Sequence, residues 1–171
     1  WDWSDSPEDV MHNLVDKCDV VVANEEDADD FFGISAPHTD VEAGEVDPEH
    51  YVTVCEQLSE RFPGLDTVAV TLRVSLSASH NTWTAMLWDN GDVFTAPRYD
   101  IQPIVDRVGG GDSFNAGLIY GLKSDMNNQE AVDFAVAASC LKHSIWGDFN
   151  LSDKEEIEEL ARGKGSGRVS R

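Results

Sequence analysis

Positive charge is scarce in this 171-residue sequence, which carries 12 Lys and Arg against 33 Asp and Glu and a formal net charge of −21. Proteins that bind the phosphate backbone of nucleic acids or the surface of anionic membranes need surplus cations, so this balance argues against both. Long apolar runs are missing as well, and none approaches the roughly 18–20 residues of a membrane-spanning helix. We therefore predict no nucleic-acid partner and no membrane partner.

Cysteine is also rare. The three cysteines, Cys18, Cys55 and Cys140, are odd in number and lack the spacing of metal ligands. They are typical of reduced, packed thiols in a cytosolic protein. Residues 1–5 show neither the basic nor the apolar region of a signal peptide. We predict a cytoplasmic location.

The composition is otherwise that of a globular domain, with 41% hydrophobic and 26% charged residues. The acidic residues are concentrated in the first third of the chain, where Lys17 is the only base among residues 1–60. A solvated, solubilising face explains such a charge run, and adaptation to salt or a basic partner are the alternatives.

Helical and strand patterns alternate along the chain. Short β-branched runs predict buried strands at residues 19–23 and 67–72, and Asn90-Gly91 predicts a hairpin turn between strands at 82–88 and 93–96. Apolar periodicity and capping residues predict helices over residues 10–17, 25–33, 48–62, 111–123, 129–144 and 152–161, the last with a Ser-x-x-Glu capping box. The order indicates an α/β fold with three αβα layers around a mostly parallel sheet.

Three consecutive glycines, Gly109, Gly110 and Gly111, stand at the entrance of the predicted helix 111–123. Without Cβ atoms their backbone N–H groups can converge on one point, and the helix adds its unpaired donors and positive dipole end. Such a turn suits an anion, usually a phosphate. It is neither a Walker loop, since no Gly-Lys-Ser/Thr follows, nor a dinucleotide fingerprint, since Phe114 takes the third glycine position.

Asp112 follows the glycines directly. A carboxylate at an anion site repels the anion unless it has a task of its own. One task is to accept the proton of a hydroxyl that attacks phosphorus while the amides stabilise the transferring group. The alternative is that Asp112 only caps its helix.

The glycine segment, residues 106–119, resembles the C-terminal signature of the PfkB (ribokinase-like) family of carbohydrate kinases. Other pieces follow in the family's order: residues 24–27 resemble its Asn-x-x-Glu motif, 70–72 a strand that meets the nucleotide phosphates, and 142–147 the adenine-side helix and loop. Within the family, the segments that most resemble 2-keto-3-deoxygluconate kinases are residues 71–83, 106–112, 141–150 and 165–171.

The resemblance implies a ribokinase-like fold from which the N-terminal half and the lid are missing. Residues 1–162 are then the nucleotide-binding and catalytic part of the domain, and residues 163–171 a flexible tail. It implies ATP and Mg²⁺ as cofactors, with K⁺ as a further candidate, and a homo-oligomer formed by the whole protein through the missing lid. The implied reaction phosphorylates a sugar acid, 2-keto-3-deoxygluconate, to its 6-phosphate, and we expect this chain alone to be inactive.

The resemblance also assigns roles to individual residues. Asp112 is the base, and Gly109, Gly110 and Gly111 form the anion hole. Asn24 and Asp27 organise Mg²⁺ through water, with Asp27 one methylene shorter than the family's Glu, and Asp106 is a candidate ligand of a monovalent cation. The implied nucleotide contacts are Thr71, Arg73, Ala138, His143 and Gly147.

Simpler interpretations stand beside these roles. The acids near Asn24 complement a helix dipole, Arg73 is a surface residue, and Arg107 itself supplies the positive charge near Asp106. The small residues around Ala138 allow close packing of a helix, and His143 is a satisfied cation at a helix end. Three functions therefore stay open: a sugar-acid kinase or another PfkB-type sugar or nucleoside kinase, a nucleotide-binding module without catalysis, and an acidic interaction protein whose glycine turn is structural.

Overall fold

A computed structural model of the chain describes residues 6–24, 26–36 and 47–163. The predicted tail, apart from Gly163, lies outside the described residues, as do the first five residues and most of the loop before Asp47. The chain divides into two compact units. The first runs to Arg73 and also includes Met86–Val93, and the second comprises Val74–Ala85 and the chain from Phe94 onward.

Helices and strands alternate through the first unit and cluster by type in the second. In chain order the described elements are α1 (Pro7–Val15), β1 (Val20–Ala23), α2 (Asp27–Phe32), a 3-10 turn (Pro48–Tyr51), α3 (Val52–Arg61), β2 (Thr67–Ser77), β3 (His80–Asp89), β4 (Asp92–Thr95), β5 (Tyr99–Ile101), α4 (Gly110–Leu122), α5 (Asn128–Lys142) and α6 (Lys154–Ala161). Every predicted helix is present, each within a few residues of its predicted ends.

The strands follow the order β1-β2-β3-β4, and β5 pairs with β3. Strand β1 runs parallel to β2, with Val20 opposite Thr67 and Ala23 opposite Val70. Strand β5 runs antiparallel to β3. The sequence did not predict β5, because three residues are too short to show the alternation of a strand.

The hairpin between β3 and β4 turns at Asn90 and Gly91, as predicted. Both residues have positive φ, 49° and 99° respectively. This is the conformation of a two-residue type I′ turn, which Asn-Gly adopts at low cost. Strand β2 continues to Ser77, beyond the predicted end at residue 72.

In the first unit the helix ends lie where their capping residues predict. The Ser6 hydroxyl accepts a hydrogen bond from the Asp9 N–H at 3.1 Å at the start of α1, and Gly33 ends α2 with a left-handed φ of 64°. Helix α3 buries one apolar face, as its periodicity predicts. The buried residues of that face are Val54, Cys55 and Leu58, and Tyr51 of the preceding 3-10 turn is buried as well.

In the second unit α4 and α5 lie in close contact. A Cβ atom at Gly117 would lie 2.9 Å from the Ala135 Cα, and one at Gly121 would lie 2.7 Å from the Ala131 Cβ. Glycine on one helix and alanine on the other therefore let the two backbones approach. The small residues of α5 are buried here, with Ala131 and Ala135 both at 0% exposure.

The predicted capping box of the last helix was wrong by one residue. Asp153, rather than Ser152, is the N-cap of α6: its side chain accepts from the Glu156 N–H at 2.9 Å, and the Glu156 carboxylate accepts from the Asp153 N–H at 3.2 Å. Both Ser152-x-x-Glu155 and Asp153-x-x-Glu156 fit the pattern, and the local sequence does not choose between them. In the described ranges no helix combines the length and apolarity needed to cross a bilayer.

Candidate active site

The three-glycine turn begins helix α4 in the second unit. Gly109 is the N-cap and has a left-handed φ of 80°, a conformation that residues with a side chain rarely adopt. A Cβ atom there would lie 2.0 Å from the Asp148 carbonyl oxygen. Two features therefore require glycine at position 109: its left-handed backbone conformation and the close approach of the loop that follows α5.

The first turn of α4 leaves two successive N–H groups unused. The Gly110 N–H donates to the Arg107 carbonyl oxygen at 3.2 Å, and the Ser113 N–H donates to the Gly109 carbonyl oxygen at 2.9 Å. Between them, the N–H groups of Gly111 and Asp112 have no acceptor among the described residues. They belong to the positive end of a 13-residue helix, so the turn offers donors and partial positive charge to an anion.

Gly111 differs from the other two glycines in its surroundings. A Cβ atom built there meets nothing within 4 Å, whereas one at Gly110 would lie 3.0 Å from the His143 Cε1. Neighbouring atoms thus fill the space beside Gly110, and the space beside Gly111 is open. Gly111 therefore has open space where a side chain would lie, in the same turn as the two N–H groups that have no acceptor among the described residues.

Asp112 lies in the first turn of α4 and is exposed. The capping alternative does not describe it, because the N-cap of α4 is Gly109 and no side chain caps this helix end. No described residue hydrogen bonds to the Asp112 carboxylate or pairs with its charge. The carboxylate therefore stands in the same turn as the two unused N–H groups.

The turn rests on the C-terminal half of α5. The Ser139 hydroxyl donates to the Gly110 carbonyl oxygen at 2.8 Å. The His143 Nδ1 lies 2.7 Å from the Ser139 carbonyl oxygen, and the His143 ring lies 5.6 Å from the Trp83 ring. Since Ser139 and His143 are 0% and 3% exposed, the turn has a rigid, buried support.

Asp106 fixes the segment that leads into the turn. Its carboxylate accepts from the Val108 N–H at 3.1 Å and from the Gly147 N–H at 2.9 Å. These two backbone donors hold the pKa of Asp106 below its ordinary value, and the charge of Lys142 contributes to a smaller extent. The next residue, Arg107, donates from Nη2 to the Ser77 and Ala78 carbonyl oxygens and to the Asn81 Oδ1, at 2.9–3.0 Å.

A cavity of about 260 Å³ lies along α4 on the side of α5 and α6. Ala138, one of the predicted nucleotide contacts, is 2% exposed and lines it. The cavity is lined by Ser113, Ala116, Gly117, Tyr120, Phe134, Ala138, Asn150, Ser152, Lys154 and Ile157. A mostly apolar cleft with a few polar groups suits a flat heterocycle.

In the first unit, Asn24 and Asp27 form a reciprocal pair at the start of α2. The Asn24 Oδ1 accepts from the Glu26 N–H at 2.7 Å and from the Asp27 N–H at 3.0 Å, and the Asp27 Oδ2 accepts from the Asn24 N–H at 2.7 Å. The simpler interpretation, in which acids complement the helix dipole, fits the first turn of α2, which holds Asp27, Asp29 and Asp30. Because the Asn24 and Asp27 oxygens already accept backbone N–H groups, they suit a metal ion that keeps its own water shell better than a directly bound one.

The two predicted phosphate contacts of β2 have different surroundings. Thr71 is 8% exposed, and its hydroxyl donates to the Ala23 carbonyl oxygen at 3.3 Å across the parallel pair β1–β2. Arg73 is exposed at the end of the first unit. The observed contact of Thr71 is structural, and the nucleotide role of both residues stays a prediction.

Sequence reasoning missed how the turn is supported. Ser139 stands four residues before His143 in α5, so both face the same way, but the signal does not say which turn they meet. Lys142 was not singled out either, although it is 0% exposed. A lysine in an otherwise Ala-rich, apolar stretch is the signal that marks it.

Comparison with known proteins places this chain in one family. The chain belongs to the pfkB family of carbohydrate kinases, whose family model matches residues 2–145. A crystal structure of the 2-dehydro-3-deoxygluconokinase of Thermotoga maritima is 43% identical, with a TM-score of 0.84 over 92% of this chain and 46% of that one. The mixed α/β, ribokinase-like fold predicted from the sequence is thereby confirmed.

Two further proteins are similar to this chain at lower identity or over a shorter stretch. The 1-phosphofructokinase of Haemophilus influenzae is 31% identical over 91 residues, 53% of this chain and 26% of that protein. An Escherichia coli protein described as a ribokinase II, solved with ATP and Mg²⁺, has a TM-score of 0.65 at 19% identity over 92% of this chain and 43% of that one, which shows the shared fold alone. The chain spans about half the length of the solved relatives and about a quarter of the curated one.

Proposed function

We propose that the whole protein of which this chain is part transfers the γ-phosphoryl group of ATP to a hydroxyl of a sugar acid, 2-keto-3-deoxygluconate, and yields its 6-phosphate. The family supports a carbohydrate kinase. The particular sugar acid is supported by the 43% identity to the 2-dehydro-3-deoxygluconokinase. This chain alone is expected to be inactive, because it spans 46% of that enzyme.

The observation that carries the proposal is the first turn of α4. Two unused N–H groups, those of Gly111 and Asp112, lie at a positive helix end beside an open space and an exposed carboxylate. Donors without acceptors stabilise the negative charge that develops on a transferring phosphoryl group. Packing explains the glycines at Gly117 and Gly121, but it does not require one at Gly111, where a Cβ atom would meet nothing within 4 Å.

In the proposed reaction the substrate hydroxyl oxygen attacks the γ-phosphorus and the bond from that phosphorus to the bridging oxygen breaks, so that ADP leaves. Asp112 accepts the hydroxyl proton as the new bond forms. Gly109, Gly110 and Gly111 shape the anion hole: Gly109 sets the turn, Gly110 packs on its support, and Gly111 supplies an N–H and open space. The adenine ring is proposed to lie against the cavity lined by Ala138, and His143 and Gly147 are kept as proposed nucleotide contacts.

The cations of the proposed reaction have candidate holders in each unit. Asn24 and Asp27 are proposed to hold Mg²⁺ through water, and when bound Mg²⁺ supplies neutralisation of the phosphate oxygens. Asp106 remains a candidate for K⁺, with its carboxylate already held by two backbone N–H groups. Thr71 and Arg73 are kept as proposed phosphate contacts. The cytoplasmic location and the homo-oligomer of the whole protein are likewise proposals.

The test is a substrate panel on the complete protein that contains this chain. ADP release, coupled to NADH oxidation, is measured with ATP-Mg²⁺ and one acceptor at a time: 2-keto-3-deoxygluconate, gluconate, fructose 1-phosphate and adenosine. We expect turnover with 2-keto-3-deoxygluconate alone. Turnover with fructose 1-phosphate or adenosine instead refutes the sugar-acid assignment and keeps the kinase. ATP binding by calorimetry without turnover of any acceptor refutes the kinase and supports a binding module.

A further inference from the structure

Lys142 carries a buried charge and has no role in the proposed reaction. It is the last residue of α5 and is 0% exposed. An ammonium group in the interior loses its hydration, and an apolar residue of similar size would fill the same space at no such cost. Its position in the last turn of a helix, facing the carbonyl groups, offsets part of that cost.

The charge is directed at the loop that follows α5. The Lys142 Nζ donates to the Ile145 carbonyl oxygen at 3.0 Å, and the Ile145 N–H donates back to the Lys142 carbonyl oxygen at 3.0 Å. This pair closes the first residues of the loop into a tight turn. Residues 146–148 follow directly after this turn.

That loop contacts the glycine turn at two points. The Gly147 N–H donates to the Asp106 Oδ2 at 2.9 Å, and the Asp148 carbonyl oxygen occupies the place where a side chain of Gly109 would lie. Asp106 in turn accepts from the Val108 N–H, immediately before the glycines. A displacement of the loop is therefore passed to both ends of the segment 106–109.

We propose that Lys142 is a positioning residue, which holds the loop after α5 so that the glycine turn presents its free N–H groups in the geometry that phosphoryl transfer needs. The inference rests on the proposed function for its catalytic consequence. Its structural part, the path from Lys142 through the loop to the turn, rests on contacts within the second unit alone. A misplacement of about 1 Å at such a turn lowers a rate by as much as about 100-fold.

The experiment compares Lys142→Met with Lys123→Met in the complete protein. Both replace a lysine of the second unit by an unbranched apolar residue, but Lys123 is exposed. We expect Lys142→Met to lower kcat at least about tenfold with the KM of the sugar acid within about twofold, and Lys142→Arg to recover most of kcat. Lys123→Met should match the wild type. Equal kcat values for the two methionine variants would overturn the proposal.

A second readout separates this inference from the proposed function. Amide ¹H–¹⁵N resonances of Val108, Gly111 and Gly147 are compared between wild type and variants without any substrate. Lys142→Met should shift all three and Lys123→Met none, even if the protein proves not to be a kinase. If Lys142→Met does not fold, Asp106→Asn tests the same path and should shift the Gly147 and Gly111 resonances. Unchanged turn resonances in the folded variant contradict the proposal.

Discussion

Helix α4 uses glycine in two regions for opposite reasons. In its second half, Gly117 and Gly121 let α5 approach, and a Cβ atom at either would lie within 3 Å of an alanine. At its start, Gly111 has open space where a Cβ would lie. The first pair serves packing, whereas the absence of a side chain at Gly111 has no neighbour to explain it. Where glycine leaves space unfilled beside unused N–H groups, a ligand is the simplest reason for it.

The largest expected effect concerns the carboxylate at the start of α4. Asp112→Asn keeps the size of the side chain and removes its capacity to accept a proton, so kcat of the complete protein should fall by about 10²–10⁴-fold. The free energy of unfolding should change little, because Asp112 is exposed and has no partner among the described residues. Steady-state kinetics and urea unfolding measure the two quantities.

Asp125→Asn is the matched control for that variant. Asp125 is an exposed aspartate of the same unit, beyond the C-terminal end of α4. It should retain wild-type kcat. If Asp112→Asn also retained wild-type kcat, Asp112 would not be the base. The start of α4 would then have a purely structural role, as Gly117 and Gly121 do.

The second effect concerns Gly109. Gly109→Ala meets a left-handed φ of 80° and a carbonyl oxygen at 2.0 Å, whereas Gly33→Ala meets a left-handed φ of 64° and no atom within 4 Å. The shared backbone strain costs about 1–2 kcal/mol, and the clash at Gly109 adds about 1–3 kcal/mol. Chemical denaturation of both variants isolates the clash. Equal losses would mean that the loop around Asp148 yields to a side chain.

Local signals were enough to predict most of the elements. Ser6 and Gly33 mark helix ends, and Asn90-Gly91 marks a turn, since each acts on neighbours within four residues. The site is different. The clash that a side chain at Gly109 would meet comes from Asp148, and the support of Gly110 comes from Ser139; both contacts join residues far apart in the chain. The spacing of residues in the sequence does not reveal such contacts. The sequence therefore predicted the glycine turn but not the residues that support it.

The third effect contrasts the two regions of α4 directly. Gly121→Ala places a Cβ 2.7 Å from that of Ala131, and such overpacking costs about 1–3 kcal/mol of unfolding free energy. Gly111→Ala meets no atom within 4 Å and gains about 0.4–1 kcal/mol, because alanine has less backbone freedom to lose on folding. We therefore expect Gly121→Ala to lower the thermal midpoint and Gly111→Ala to preserve or raise it.

Activity should follow the opposite order. Gly111→Ala puts a methyl group into the open space of the turn and should lower kcat/KM for ATP at least about tenfold, the scale of a lost transition-state contact. Gly121→Ala, measured below its thermal midpoint, should keep most of its kcat/KM. A Gly111→Ala enzyme that is both stable and fully active would show that the open space is not used.

The smallest expected effect concerns how the stability of the second unit depends on pH. Tyr99 packs against the cluster of Phe134, Ala138 and Ile157 at the helix face, its hydroxyl donates to the Leu160 carbonyl oxygen at 3.3 Å, and burial raises its pKa from 10.0 to about 12. Below pH 10 both folded and unfolded states hold the proton. Between pH 10 and 12 the unfolded state alone releases it, so stability falls as the pH rises.

Tyr99→Phe should therefore flatten the decline of the thermal midpoint above pH 10, as followed by circular dichroism. Tyr120→Phe is the control of opposite sign, because a hydrogen bond from Lys154, and after it one from Ser124, lowers the pKa of Tyr120. A phenol with a lowered folded-state pKa supports the folded state at alkaline pH, so its removal should not flatten the decline. An identical response of both variants would mean that neither tyrosine causes the loss of stability at alkaline pH. Only the glycine variants would then test the difference between the two regions of α4.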